Sequence, residues 1–183
     1  MEFLHILYGP LYTIFHSLII FIVILIFKKR LFACIFAIIM LLQKPIIEFF
    51  KNIYQSPRPP QEFFGVYEIN SYSYPSGHAM VSMTITLFVI YFVFTTLKTG
   101  IKYLFSIIYL ILAILSAYCR LYLDVHWFID IIGGWFLVFS ICPISIFLYK
   151  KLPIYYEKYK NNSKKTFNRY PASKGKAESK NKL

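Results

Sequence analysis

The sequence predicts an all-α, polytopic membrane helix bundle, and three observations carry that class. Of its 183 residues 58% are hydrophobic and 15% charged, and the mean hydropathy of +0.57 lies far above that of a soluble domain. Five apolar runs, about 11–27, 31–50, 79–97, 103–119 and 126–149, approach the ~20 residues needed to cross ~30 Å of hydrocarbon as a helix. The ten-residue alternation of a transmembrane barrel is missing, and only helices satisfy such runs' backbone groups in lipid. About five spans are therefore expected.

The first run is short. Residues 1–10 before it are apolar but broken by Gly9 and Pro10, so a sixth element there is expected to lie in the interface rather than to span independently. Glu2 and the lack of Lys or Arg in residues 1–10 argue against a cleaved signal peptide. Lys28, Lys29 and Arg30 follow the first run, Lys98 and Lys102 precede the fourth, and the C-terminal segment is basic; these three sites are expected on the cytoplasmic side. The loop 51–78, the turn 120–125 and the N-terminus then face outward.

Residues 1–149 form the expected membrane-embedded domain and residues 150–183 a basic tail. Eleven Lys or Arg against Glu157 and Glu178 place nine of the chain's twelve net charges in that tail. It reads as a disordered cytoplasmic segment that fixes topology, with attraction to anionic lipid as the functional alternative. Nucleic acid is not an expected partner. The sequon Asn161–Ser163 lies on the wrong side for glycosylation. Cys34, Cys119 and Cys142 show neither zinc-ligand spacing nor a disulfide framework.

Ionisable groups within or beside spans are costly unless they meet a partner or a wet cavity. Three blocks hold most of them: Lys44 to Pro59 at the end of the second run, Pro75-Ser76-Gly77-His78 at the start of the third, and Cys119 to Asp130 between the last two. Lys51, Arg58 and Arg120 thus converge on one side of the membrane, and three cations call for an anion. Phosphate suits them, because a guanidinium presents forked donors and a lysine a mobile charge. A helix starting at Ser76-Gly77 would add unpaired N–H groups, with a glycine that lets an anion come close to the backbone. His126 and Asp130 are four apart, so on a helix they share a face, and the carboxylate can accept one imidazole N–H while the other nitrogen serves as nucleophile or base. His78, in another segment, is the candidate acid.

These blocks resemble the signature of the phosphatidic acid phosphatase type 2 superfamily, K-x6-R-P, P-S-G-H and S-R-x5-H-x3-D. Lys51 and Arg58-Pro59, Pro75 to His78, and Arg120, His126 and Asp130 stand at its spacings. Cys119 departs from the usual serine, and the short N-terminal part departs from the six spans common in the family. The resemblance, from about Lys44 to Trp135, implies a lipid phosphatase working without metal or other cofactor. It implies that His126 attacks phosphorus, Asp130 orients it, and His78 protonates the leaving group and then activates water. Lys51, Arg58, Ser76, Gly77 and Arg120 would hold the phosphate, a division of labour that fits phosphoryl transfer as chiefly positioning and charge stabilisation.

The implied substrate is amphiphilic, a lipid phosphate or diphosphate whose chain stays in the membrane on the extracytoplasmic side. Phosphatidate, phosphatidylglycerol phosphate, polyprenyl diphosphate and lipid A phosphate all qualify, and membrane lipids are the expected surroundings. The sequence leaves oligomeric state open. The alternatives are a non-catalytic phospholipid-binding protein, a haloperoxidase with the same anion pocket, and a transporter. The spans speak against the second and the clustering of charge at span ends against the third. Lys44 and Glu48, four apart, read as a structural pair. Asp124 reads equally as a turn residue or a headgroup contact, Gly133 and Gly134 as close-packing residues, and Phe63, Phe64, Tyr67 and Tyr72 as shaping the entrance. His5 and His16 match no part of the pattern.

Overall fold

The computed structural model describes residues 10–60, 71–98 and 100–169. These form five helices and no strand: α1 (Pro10–Ile26), α2 (Arg30–Tyr54), α3 (Gly77–Thr96), α4 (Ile101–Tyr122) and α5 (Phe128–Arg169). Each apolar run is one helix. In α2 to α5 the apolar stretch is long enough to cross a membrane, whereas α1, with 17 residues, reaches only about 25 Å. Residues 1–9 lie outside the described residues, as do Phe63, Phe64 and Tyr67.

The chain divides into two units, Met1–Ile146 and Phe147–Leu183. In its described residues the second unit is helix, because α5 continues to Arg169. The sequence reading expected disorder from residue 150. Composition hid the helix: Lys150, Lys151, Tyr155, Tyr156 and Lys160 are exposed or nearly so, and a helix polar around its circumference carries no periodic apolar signal. Residues 170–183 lie outside the described residues.

Within the first unit α3 is the central helix. Its apolar window is 61% buried, against 22–33% for the other spanning candidates, as suits a helix apolar on every face. Phe88 of α3 is fully buried and meets Phe32 and Phe36 of α2 with ring centroids 5.4 and 5.3 Å apart. In lipid such helix contacts gain little from water exclusion and depend on close van der Waals packing. Small residues help provide it where three helices meet, Ala79 of α3 and Ala117 of α4 clustering with Ile131 of α5. Polar side chains also bond between helices. The Thr86 hydroxyl lies 3.0 Å from the Tyr109 carbonyl of α4, and His16 Nε2 lies 3.1 Å from the Tyr109 hydroxyl, which gives His16 a packing role between α1 and α4.

The two ends of the bundle differ. At one, Lys29 between α1 and α2 donates to the Thr95 carbonyl at 3.2 Å and to its hydroxyl at 2.8 Å, joining that turn to the end of α3. At the other, α2 ends, α3 and α5 begin and α4 ends. Lys51, Arg58, Ser76, Gly77, His78, Arg120, His126 and Asp130 stand on the segments at that end.

Candidate active site

Lys51 stands in the last turn of α2, buried. Gln55, left-handed at φ 46°, stops the helix and donates its N–H to the Lys51 carbonyl at 2.9 Å. The prolines at 57, 59 and 60 prevent renewed helix, so the chain crosses the bundle end and carries Arg58 with it. Arg58 ties three segments. Its Nε donates to the Ser71 carbonyl at 2.9 Å and Nη2 to the Ser71 hydroxyl at 3.0 Å, while Nη1 donates to the Val125 carbonyl. The ammonium of Lys51 donates to the same Ser71 hydroxyl at 3.2 Å, so the two cations from α2 and its following loop converge on one oxygen.

Ser76 is the N-cap of α3 but makes no side-chain cap bond. Its hydroxyl is buried and has no hydrogen-bond partner among the described residues. Gly77 begins the helix, where its N–H has no carbonyl one turn back, and a Cβ there would lie 3.3 Å from Ile47 Cδ1 of α2. His78 follows, half-buried.

Arg120 lies in the last turn of α4, 4% exposed, and its Nε and Nη2 are buried without partners among the described residues. A Schellman turn closes α4 directly behind it. Val125 N–H donates to the Arg120 carbonyl at 3.3 Å and Asp124 N–H to the Leu121 carbonyl at 3.0 Å, with Asp124 left-handed at φ 48°. The backbone of Asp124 therefore caps α4, in keeping with the turn reading of that residue, and the reversal it makes brings His126 back beside the end of α4.

Asp130, fully buried in the first turn of α5, accepts at Oδ2 from the Trp127 N–H at 2.8 Å and from His126 Nδ1 at 3.1 Å. The first bond caps the helix start, where a carboxylate is also favoured by the helix dipole. The second is the expected pair, but His126 stands two residues ahead of α5, so the segment entering the helix makes it rather than a shared helix face; it leaves Nε2 with the lone pair. Burial pushes the His126 pKa below its ordinary value; the bond to Asp130 opposes this, and the nearby charges of Arg58 and Lys51 reinforce it. The imidazole is thus held neutral near neutral pH.

Lys51, Arg58, His126 and Asp130 are linked through shared partners, and Arg120 is joined to the His126 loop through the Val125 N–H. Three participants were missed in the sequence. Ser73, fully buried, donates its hydroxyl to Asp130 Oδ2. Ser71 accepts from both cations. Tyr74 lies over Gly133 so closely that a Cβ there would be 2.2 Å from its ring. All three stand within seven residues ahead of His78, and that adjacency was the only signal available. Lys44 and Glu48 correct an expectation: no ion pair joins them, since His126–Asp130 is the pair found among the described residues. Both side chains are exposed and border a cavity of about 530 Å³ lined mostly by apolar residues of α1 and α2, including Ile47. Spacing of four permits a pair but does not compel two exposed side chains to form one.

A sequence profile of the PAP2 superfamily matches residues 32–153. The chain belongs to that superfamily. The undecaprenyl-diphosphatase of Sulfolobus acidocaldarius is 39% identical over 83 residues, which cover 45% of this chain and 36% of that protein. The match therefore spans about a third of the relative's length. The crystal structure of a transmembrane PAP2-type phosphatidylglycerolphosphate phosphatase from Bacillus subtilis superimposes with a TM-score of 0.66, over 83% of this chain and 74% of that one at 23% identity. The membrane PAP2 helical fold is thereby shared.

Proposed function

We propose that the protein is a membrane phosphatase that hydrolyses a phosphomonoester or diphosphate on a lipid headgroup through a phosphohistidine. The observation that carries the reading is the buried guanidinium of Arg120, whose Nε and Nη2 have no partner among the described residues, at the bundle end where His126 and Asp130 are paired. A buried cation without a counter-charge is costly, and a phosphate dianion would supply one. The unpartnered Ser76 hydroxyl and the Gly77 N–H add neutral donors, while Lys51 and Arg58 add charge.

In the first step the Nε2 lone pair of His126 forms a bond to phosphorus as the bond to the leaving oxygen breaks, and His78 gives that oxygen a proton. Asp130 stabilises the charge arising on the imidazole. In the second step His78 takes a proton from water, whose oxygen bonds to phosphorus as the N–P bond breaks. Inorganic phosphate and neutral His126 result. Preorganised donors of this kind each contribute roughly 10²- to 10³-fold in rate.

An amphiphilic substrate is supported by the site's place at the end of spanning helices and by Ile47, which borders both Gly77 and the apolar cavity. The names of the two relatives, one a diphosphatase of a polyprenyl lipid and one a phosphatase of a glycerophospholipid, support a lipid phosphate. We place the site on the extracytoplasmic face and residues 150–183 in the cytoplasm as a basic extension of a phosphatase domain at 1–149.

Purified protein assayed in EDTA against a panel of lipid phosphates tests the reading. Phosphate release by wild type and not by His126→Ala supports it. Binding of the lipids without release favours a phospholipid-binding protein, and activity that requires added Mg²⁺ contradicts the metal-independent mechanism.

A further inference from the structure

Asp130 Oδ2 collects three donors, and they differ in where they come from. Trp127 N–H and His126 Nδ1–H belong to the same turn as Asp130 and move with it. Ser73 comes from the segment ahead of α3, more than fifty residues away in sequence. That segment is anchored independently. Ser73 N–H donates to the Ser56 carbonyl at 2.9 Å, and two residues earlier the Ser71 carbonyl accepts from Arg58 Nε at 2.9 Å. The Ser73 hydroxyl is therefore a fixed point against which the carboxylate is held, and an aspartate's terminal torsion is otherwise broad.

The Ser73 oxygen also lies 3.3 Å from His126 Nδ1. A hydroxyl has one proton and two lone pairs. With its proton given to Asp130, it can only accept from the imidazole, so both neighbours of Nδ1, the Ser73 oxygen and Asp130 Oδ2, are acceptors. Only a protonated Nδ1 satisfies that arrangement; a bare Nδ1 would face two oxygens with no hydrogen between them. We propose that Ser73 is a positioning residue for the nucleophile, fixing the Asp130 carboxylate and the Nδ1–H tautomer of His126 so that Nε2 carries the lone pair toward phosphorus. The proposal rests on His126 being the attacking group. Ser73 does not touch substrate in this role, so its loss acts on the chemical step and leaves phosphate affinity alone.

The test uses an isosteric pair. Ser73→Thr keeps the hydroxyl and Ser73→Val replaces it with a methyl group of similar volume, so any shared packing cost cancels between them. On the lipid phosphate that wild type turns over, kcat of Ser73→Val is expected about 10- to 100-fold below that of Ser73→Thr, by analogy with loss of the hydrogen bond that orients a metal-ligating histidine. KM and the inhibition constant of inorganic phosphate should agree within about twofold between the two. Equal kcat values overturn the proposal. A parallel rise in the phosphate inhibition constant also overturns it, since that marks a general distortion of the site. Absence of phosphate release by wild type defeats the phosphatase reading itself, and is distinguished by that control from failure of the Ser73 role.

Discussion

The backbone N–H of Ser76 donates to the backbone carbonyl of Asp130 at 3.1 Å. This main-chain bond joins the start of α3 to the start of α5, so the two helix N-termini that carry the proposed phosphate donors and the proposed nucleophile pair keep one register. No side chain is needed to make it, and it survives any substitution at either position other than proline at 76. Gly134 of α5 makes the approach possible, since a Cβ there would meet the Ser76 carbonyl at 3.1 Å and Met80 Cγ at the same distance.

The pH profile follows from His126. Its pKa lies below 6.5 because burial and the charges of Arg58 and Lys51 outweigh the bond to Asp130. Protonation would remove the lone pair of the proposed nucleophile, so His126 itself should impose no loss of kcat/KM, which reports the free enzyme, until the pH falls below the ordinary histidine range. Arg58→Ala removes one of the lowering charges and should shift that decline to higher pH, besides reducing activity. The same group makes folding weaker in acid: the unfolded chain takes up the proton first as pH drops through 6.5, so stability falls across that window and is flat above it. A decline already under way at neutral pH in the wild type would contradict the assignment.

Removal of Arg120 should separate activity from stability. Arg120→Met takes away donors proposed to hold the phosphate and is expected to cost about 10²- to 10³-fold in kcat/KM. It also removes a buried charge with no partner among the described residues, and replacing buried charge by packed apolar volume is commonly neutral or stabilising. The thermal midpoint in detergent should stay level or rise. A fall in both quantities would mean that Arg120 holds the fold together instead.

Asp124→Gly distinguishes a cap from a headgroup contact. At φ 48° glycine is at ease and a β-branched residue is not. Asp124→Gly should leave stability and KM near wild type, and Asp124→Val should lower the midpoint. A large rise in KM for the glycine variant alone would restore the headgroup role.

Gly133→Ala places a Cβ within 2.2 Å of the Tyr74 ring, so the ring must swing away. Overpacking of this kind costs about 1–3 kcal/mol, and because Tyr74 adjoins Ser73 the variant should lose turnover as well as stability. Unchanged activity and melting would show that the ring relocates freely.

Much of the fold and the charged part of the site were legible because a membrane makes them so. Lys51, Arg58, Arg120 and Asp130 stand out in an apolar chain, and each apolar run became a helix. The hydroxyls of Ser71 and Ser73 were not legible, since a serine before a helix carries no local signature and its partners, Arg58 and Asp130, are fixed only once the chain has folded. The cap at Asp124 shows only in its left-handed backbone, φ 48°, which no local sequence signal announces. Lys44 and Glu48 misled because spacing states what can meet and not what does. The continuation of α5 past residue 149 escaped because the apolar pattern ends there while the helix does not.

The most direct test of the account is to expose the protein briefly to a lipid phosphate labelled on the phosphate expected to be released, quench, and look for protein-bound label. An acid-labile phosphoenzyme in wild type, absent in His126→Ala and accumulating in a variant with His78 replaced by alanine when an activated leaving group is used, is the predicted result. Label retained at full level in His126→Ala would contradict it, because some other side chain would then be the one bonded to phosphorus.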